Sequence, residues 1–175
     1  MRCKAHIVFV DEVGFSFLAP PGTTWAPRGH PPVLRRTSCR RVLSTLVGLT
    51  LEGKIYTKHF DHGLSGADVV VGLEHLRQCM GEALLIIWDH LPAHHSQVVQ
   101  EYLRKHPKMS VEWLPSYAPE LNPEEGCNGY VKKQLLNAVP ETAAQLRDLV
   151  NASFARLRHQ PQVIQSFFRH AGLTV

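Results

Sequence analysis

The sequence predicts an α/β domain with a mixed five-stranded sheet and helices on both faces of that sheet. Its first three strand-like segments are joined by short turns, which favours antiparallel pairing, and its later strands alternate with helices, which favours parallel crossovers. A chain of 175 residues is long enough for one domain with a real core and leaves little room for two. We therefore expect residues 1–175 to form a single domain.

The strands are predicted from short runs rich in aliphatic and β-branched residues. Glu52-Gly53 is a tight-turn signal between the second and third runs, so these two should form an antiparallel hairpin. In the fifth run, Met109, Val111 and Trp113 alternate with polar residues, as in a strand with one buried face. The predicted strands are residues 6–10, 41–51, 54–60, 83–88 and 109–113.

The helices are predicted from apolar residues at helical spacing and from capping signals. Ser65 is a candidate N-cap with Asp68 three residues later. Asn122-Pro123 should open another helix after a proline-marked loop, because Asn favours the N-cap and Pro the first turn. The predicted helices cover residues 65–80 and 96–106, a segment from 122, a long segment from about 141, and residues 162–169.

The composition is that of an ordinary globular protein and excludes several classes. The chain is 44% hydrophobic and 19% charged. Its apolar runs are far shorter than the ~18 residues that span a bilayer, and its N-terminus lacks a signal-peptide layout. We therefore expect a cytoplasmic protein without a membrane partner. The four cysteines form no CxxC pair, which argues against a disulfide scaffold or a zinc ribbon.

A basic segment follows the first strand. The net charge of +4 permits a polyanionic partner such as DNA. Arginine suits phosphate because its planar fork pairs with two oxygens, although a solvated basic face is the alternative. Trp25 could stack on an unpaired base or anchor its Pro/Gly-rich loop to the core, and we favour the anchor. The candidate DNA contacts here are Trp25, Arg28, Arg35, Arg36, Arg40 and Arg41.

Two aspartates follow apolar strand-like runs. Asp11 ends the first run and Asp89 ends the fourth, and these strands can lie side by side in the predicted sheet. Ligands bind at the carboxyl ends of strands in open α/β sheets, and neighbouring carboxylates there favour a hard divalent cation. A third carboxylate from the helix after the fifth strand would complete a two-metal site for phosphodiester chemistry. Each residue has a simpler alternative as a turn or capping residue, and Glu125 stands where a capping-box glutamate would follow Asn122.

Four motifs spread over nearly the whole chain resemble one family. They are VDEVGF (10–15), TWAPRGHPP (24–32), IIWDHLPAHHS (86–96) and LPSYAPELNPEEGCNGYVK (114–132). Together they resemble the catalytic domain of DDE transposases of the IS630/Tc1-mariner group, and the last two motifs are the most specific. The resemblance implies an RNase H-like fold, which matches the element order predicted above.

The resemblance assigns the three carboxylates by motif position. It implies that Asp11, Asp89 and Glu125 are the catalytic residues and hold two Mg²⁺ or Mn²⁺ ions. Thirty-five residues separate Asp89 from Glu125, close to the spacing that the family shows. The neighbouring Glu12 and Glu124 stand at motif positions that are not catalytic.

The resemblance also covers a histidine that follows the second aspartate. His94 matches the family's histidine after the second aspartate and could orient a metal ligand or the scissile phosphate; a hydrogen bond at the start of a helix is the alternative. His90 and His95 are expected at the surface, and a zinc site of the three histidines is disfavoured because nearby carboxylates suit a hard cation. The sequence departs from the family at His90, where Asn is frequent, and at Asn128, where Trp is usual. Lys132 is a further candidate DNA contact.

The resemblance also implies a function. It implies a transposase domain that cuts double-stranded DNA at transposon ends and joins the freed 3′-hydroxyl to target DNA, with TA as the target dinucleotide. The active form would be a homodimer. Members of the family carry a helix-turn-helix region, and none fits before Asp11; we expect it to be encoded upstream as a separate protein or to have been lost by truncation.

Two other functions stay open. A non-catalytic DNA-binding remnant of a decayed transposase would keep the fold and, after recent decay, all three carboxylates; metal-dependent nicking distinguishes it. A host RNase H-like nuclease is disfavoured by the TWAPRG and ELNPEE motifs, and preference between an RNA–DNA hybrid and duplex DNA would decide.

Overall fold

The computed structural model describes residues 5–17, 22–30, 32–33, 42–81 and 83–174. Within these ranges the chain forms one sheet and helices that follow its later strands. In chain order the elements are β1 (His6–Ser16), β2 (Val42–Thr50), β3 (Ile55–Phe60), α1 (Gly66–Met80), β4 (Leu84–Trp88), α2 (Gln97–Lys105), β5 (Met109–Trp113), a 3-10 turn (Pro119–Leu121), α3 (Glu124–Gln134), α4 (Ala143–Arg158) and α5 (Pro161–His170).

The sheet has five strands in the order β3-β2-β1-β4-β5. β1 pairs antiparallel with β2, which in turn pairs antiparallel with β3 around the predicted Glu52-Gly53 turn. On its other side β1 pairs parallel with β4, and β4 pairs parallel with β5. The predicted mixed sheet is therefore confirmed, and so is the adjacency of the first and fourth strands.

Helices cover both faces of the sheet because successive side chains of a strand point to opposite sides. Phe9, Val13 and Phe15 of β1 pack with buried residues of α3, α4 and α5. Val8 and Val10 face the other way and pack with buried residues of α1 and α2. The prediction of helices on both faces is confirmed, and side chains on β1 alternate between two separate cores.

β1 is longer than the sequence predicts, and this corrects the position of Asp11. Pairing with β2 continues to Ser16, so Asp11 lies within the strand and not at its end. Pairing with the backbone of β2 extends the strand beyond the apolar run from which it was predicted. Pairing with β4, however, ends at Phe9 opposite Ile87. Continued at the same offset, that register places Asp11 level with Asp89, on the same face and just beyond the end of the parallel pair.

The helix starts follow the predicted capping signals with one exception. The Ser65 side chain accepts the backbone N–H of Asp68, and the Asp68 side chain accepts the backbone N–H of Ser65. The predicted capping box of α1 is therefore present. At α3 the Asn122 side chain accepts the backbone N–H of Glu124 at 3.1 Å. The backbone N–H of Asn122 donates to the carbonyl of Pro119 at 2.9 Å. That N–H is therefore not held by Glu125, which excludes the capping-box explanation of this glutamate.

No helix in the described part of the chain combines the length and the apolar character that crossing a membrane requires.

Candidate active site

A cleft of about 370 Å³ opens at the edge of the sheet where β4 ends. Its lining includes Asp11, Asp89 and Glu125 together with His90 and Tyr117. The carboxylates come from the middle of β1, the residue after β4 and the first turn of α3. Residues 78 and 36 positions apart in the chain thus share one cleft, as the sequence predicts.

Asp11 is the most enclosed of these carboxylates, with 8% of its surface exposed. Its Oδ1 accepts the backbone N–H of Glu12 at 2.8 Å, and its Oδ2 accepts an amide N–H of Asn128 at 3.0 Å. Burial raises the pKa of Asp11 to about 7, a hydrogen bond with Glu124 opposes the rise, and the charge of Glu125 adds to it. A carboxylate held in this way is destabilised when it ionises, unless a cation lies beside it.

Behind Asp11 lies a buried acid, Glu124, which the sequence analysis assigned to a motif position that is not catalytic. Glu124 is fully buried, and its Oε2 accepts the second amide N–H of Asn128 at 2.5 Å. Burial first, and the charge of Asp11 second, raise the pKa of Glu124 well above its ordinary value. With both carboxyls ionised, Glu124 Oε1 has no donor among the described residues. A proton on this carboxyl supplies the bond to Asp11.

His94 bridges two further carboxylates. Its Nε2–H donates to Glu12 Oε2 at 2.8 Å, and its Nδ1–H donates to Asp89 Oδ1 at 2.9 Å and to the Asp89 carbonyl at 3.0 Å. The ring is buried and stacks on Trp88 with centroids 3.7 Å apart. Burial lowers the pKa of His94, but the hydrogen bond and charge of Glu12, followed by those of Asp89, outweigh it and leave the pKa raised. Both nitrogens face acceptors, so the imidazolium satisfies them together.

The same three side chains have ligand atoms within 4.8 Å of one another, close enough for a metal ion. The hydrogen-bond geometry argues against one. Glu12 and Asp89 contact different nitrogens of the His94 ring, on opposite edges, so a single ion cannot replace both contacts. The trio therefore acts as a carboxylate–imidazolium–carboxylate bridge. Because both ring nitrogens of His94 form hydrogen bonds, neither is free to bind a zinc ion together with His90 and His95.

His90 and His95 are exposed, as predicted. Their rings stack on each other with centroids 5.4 Å apart, and both stack on Trp113.

Tyr117, on the cleft wall, is a residue that the sequence analysis did not single out. It is fully exposed and has a φ of 59°, a left-handed conformation that is uncommon for a residue with a bulky side chain. The prolines around it marked a loop but not this conformation.

The predicted DNA contacts are placed only in part. Arg35, Arg36, Arg40 and Arg41 lie outside the described residues. Arg28 is exposed on a turn that the His30 N–H closes by donating to the Pro27 carbonyl at 3.0 Å. Trp25 is fully exposed, so the interpretation of this residue as an anchor to the core is wrong: the described loop around it offers no apolar partner that would bury the ring.

Gly22, the first described residue of this loop, also lies away from the cleft. The Gly22 N–H donates to the side chain of Asn137 at 2.9 Å, just beyond the C-terminal end of α3. Glu125 lies at the other end of α3, roughly 16 Å away along the axis of an 11-residue helix. Gly22 therefore lies far from the catalytic carboxylates, because β1 continues beyond Asp11 as far as Ser16. Lys132, by contrast, is exposed and two helical turns from Glu125 on the same face of α3.

Known proteins share the family and the fold of this chain. The profile of a family described as DDE superfamily endonuclease matches residues 6–147. The structure is similar to the Mos1 strand transfer complex (TM-score 0.66, 17% identity, 95% of this chain and 53% of that one). It is similar to the Mos1 transposase catalytic domain with Raltegravir and Mn (TM-score 0.58, 16% identity, 97% of this chain and 84% of that one). It is also similar to the HTLV-2 integrase catalytic core domain with magnesium (TM-score 0.52, 14% identity, 85% of this chain and 81% of that one).

At such identities these likenesses concern the fold, and they confirm the RNase H-like prediction. The chain spans about half the length of the Mos1 chain in the strand transfer complex. No curated protein is similar enough to this chain to count as a match. The family match covers most of the chain, including all three cleft carboxylates, and confirms the predicted resemblance to DDE enzymes. The chain therefore belongs to the family of DDE superfamily endonucleases.

Proposed function

We propose that this chain is the catalytic domain of a transposase, which cuts DNA at transposon ends and joins the cut strand to target DNA. The observation that carries the proposal is that Asp11, Asp89 and Glu125, from three separate elements, line one cleft. These residues occupy the motif positions of the catalytic carboxylates in the family that the chain resembles. The similar Mos1 structure, described as a strand transfer complex, supports the joining step.

The donor set of the cleft fits Mg²⁺ or Mn²⁺, of which we propose two ions. Carboxylate oxygens are the ligands these ions prefer, and a cation beside Asp11 would relieve the repulsion from Glu125. When bound, the ions would neutralise charge on the phosphate and lower the pKa of an attacking water. Similar proteins were solved with Mn and with magnesium.

The protein's own groups orient this chemistry. Two hydrogen bonds fix the rotation of Asp11, and the His94 bridge fixes Asp89. Glu125 projects from the first turn of α3. Pro115, Tyr117 and Pro119 give the cleft uncharged surface that sugar and base faces could contact. The carboxylates hold cations in this proposal and form no covalent bond to DNA.

A nicking assay on supercoiled plasmid tests the proposal. We expect the full chain to convert supercoiled DNA to the open-circular form with Mg²⁺ or Mn²⁺ and to stop when EDTA is added. An oligonucleotide with a free 3′-hydroxyl should also become joined to the plasmid. Absence of nicking under all metal conditions would favour the non-catalytic remnant. Preferential cutting of an RNA–DNA hybrid would favour the host nuclease.

Lys132 is proposed to contact a DNA phosphate beside the cleft. Replacing it with alanine should lower the slope of log K against log[salt] by about 0.9, the value for one lost phosphate contact on duplex DNA. The effect should appear on any duplex, because phosphates carry no sequence information. Fluorescence anisotropy at several salt concentrations measures the slope. Lys133→Ala is the matched control, since Lys133 is also exposed but turned about 100° around the helix; equal slopes in the two variants would remove Lys132 from the interface.

Glu12 is proposed to position Asp89 through His94. Glu12→Gln keeps an oxygen that can accept from His94 but removes the charge that favours the imidazolium. We expect the nicking rate to fall about 10–100-fold, as is typical for residues behind a metal ligand, with little change in thermal stability. Glu101→Gln on α2, where Glu101 pairs only with the exposed Lys105 in the described contacts, is the control. A wild-type rate in Glu12→Gln would reduce the bridge to a structural feature.

A further inference from the structure

We infer that Asn128 and Glu124 form one positioning unit that holds the Asp11 carboxylate in the orientation in which it binds a cation. This inference rests on the proposed function and adds two residues to it. Neither residue stands at a catalytic motif position, and Asn128 replaces a tryptophan that is usual in the resembling family.

The geometry of the amide supports the inference. Asn128 has two N–H groups on Nδ2, and they donate to different acids: one to Asp11 Oδ2 at 3.0 Å and the other to Glu124 Oε2 at 2.5 Å. Asn128 and Glu124 are one helical turn apart on α3, so the helix fixes their spacing. The Asn122 side chain accepts the backbone N–H of Glu124, which fixes the start of that turn. The unit is therefore rigid before any cation binds.

The contacts leave Asp11 oriented but not saturated. Its Oδ1 is held by the Glu12 backbone and its Oδ2 by Asn128. A carboxylate has about four acceptor positions, and the bond from Glu124 occupies a third, so one position remains for a cation. Rotation about the bond to the carboxyl group would break both bonds. Ligands fixed in this way lose little freedom on binding a cation, which is why partners behind a metal ligand affect affinity.

The burial of the unit is costly and gives no evident packing advantage. Glu124 is fully buried, Asn128 is 2% exposed, and Asn128 Oδ1 has no hydrogen-bond partner among the described residues. Well-packed apolar side chains at such positions are often as stabilising as a buried polar network or more so. Cys127 and Val131, the neighbouring buried residues of α3, are apolar. A polar pair here is best explained by its contact with Asp11.

Glu124 and Glu125 are adjacent but occupy different environments. Glu125 lines the cleft, whereas Glu124 lies behind Asp11 and is not among the lining residues. The unit therefore predicts opposite results for the same substitution at the two positions. Glu124→Gln keeps the hydrogen-bonding groups and should leave the affinity for Mn²⁺ within a few-fold of wild type. Glu125→Gln should lose it.

A double-mutant comparison separates positioning from stability. We would titrate the full chain and its Asn128→Leu, Glu124→Leu and doubly substituted forms with Mn²⁺ alone by calorimetry, and measure Tm without metal. Each single variant leaves a buried polar group without its partner and should lower Tm. The double variant E124L/N128L replaces the pair by apolar groups and should recover Tm. Its affinity for Mn²⁺ should nevertheless stay about 10–100-fold weaker than wild type, because Asp11 is no longer held.

The controls distinguish failure of this inference from failure of the proposed function. Asn151→Leu, at an exposed asparagine of α4 whose side chain forms a hydrogen bond with His59, should keep wild-type affinity for Mn²⁺. If the double variant recovers both Tm and Mn²⁺ affinity, or if Asn128→Leu binds Mn²⁺ as wild type does, the positioning unit is overturned while the metal site stands. If Glu124→Gln loses affinity as Glu125→Gln does, Glu124 is itself a ligand and the inference is wrong. If Glu125→Gln binds Mn²⁺ like wild type, the proposed function fails.

Discussion

Replacing Asp89 with asparagine should abolish metal-dependent nicking of DNA while leaving the fold intact. The substitution keeps the size of the side chain and an oxygen that can accept from His94, but it removes a charge that would hold a divalent ion. A bound ion contributes several kcal/mol to phosphodiester cleavage, and each 1.36 kcal/mol is tenfold in rate. We therefore expect a loss of at least about a thousand-fold.

The measurement is single-turnover nicking of supercoiled DNA with Mn²⁺, accompanied by circular dichroism and by binding to duplex DNA. Asp148→Asn is the matched control, since it removes the same charge from an exposed position on α4. Circular dichroism and non-specific DNA binding should match wild type in both variants. Nicking at the wild-type rate by Asp89→Asn would mean that the cleft does not use this carboxylate.

The second large effect concerns stability without metal. Burial raises the pKa of Asp11 to about 7, from an ordinary value of 3.8, and the charge of Glu125 adds to the rise against the hydrogen bond of Glu124. At a pH between these two pKa values, Asp11 is deprotonated in the unfolded chain and protonated in the folded chain. The stabilising contribution of the protonated group is thus complete below pH 4 and is lost as pH rises to about 7. The loss is a few kcal/mol, at about 1.4 kcal/mol per pKa unit.

Asp11→Asn should remove that part of the pH dependence. At pH 8 and in EDTA we expect the variant to be more stable than wild type, by about 2–4 °C in Tm for each kcal/mol. Added Mn²⁺ should raise the Tm of wild type, because a ligand that binds the folded state stabilises it, and should raise that of Asp11→Asn much less. Thermal unfolding from pH 4 to 8 measures both. If the Tm of wild type and that of the variant fall in parallel from pH 4 to 8, the Asp11 carboxyl is not the destabilising group.

The sequence was sufficient to place the cleft. The three carboxylates stand in recognisable motifs, and the alternation of strands with helices favours the parallel pairing of β1 with β4 that brings Asp11 level with Asp89. Capping signals gave the starts of α1 and α3 to within a residue. Local patterns were informative at these points because the interactions involved are local.

What the sequence could not predict depends on distant partners. The apolar run ends at Asp11, but β1 continues because β2 pairs with it as far as Ser16. The register of that long strand sends Asp11 to the side of α3 and Glu12 to the side of His94. Glu12 and His94 are 82 positions apart, so local spacing offered no sign of their contact.

The same limit applies behind the cleft and on the loop. Asn128 was noted only as a departure from a family pattern, and its bond to Asp11 spans 117 positions. Trp25 was interpreted as an anchor of its loop to the core, yet it is fully exposed. Burial depends on whether another element covers a residue, which the composition of a loop does not determine.

Anomalous diffraction from crystals of the full chain grown with Mn²⁺ tests the central claim most directly. The three-carboxylate site predicts manganese peaks in the cleft, coordinated by Asp11, Asp89 and Glu125. Manganese bound instead by Glu12, Asp89 and His94, or no manganese at the three carboxylates at concentrations that support nicking, would contradict it.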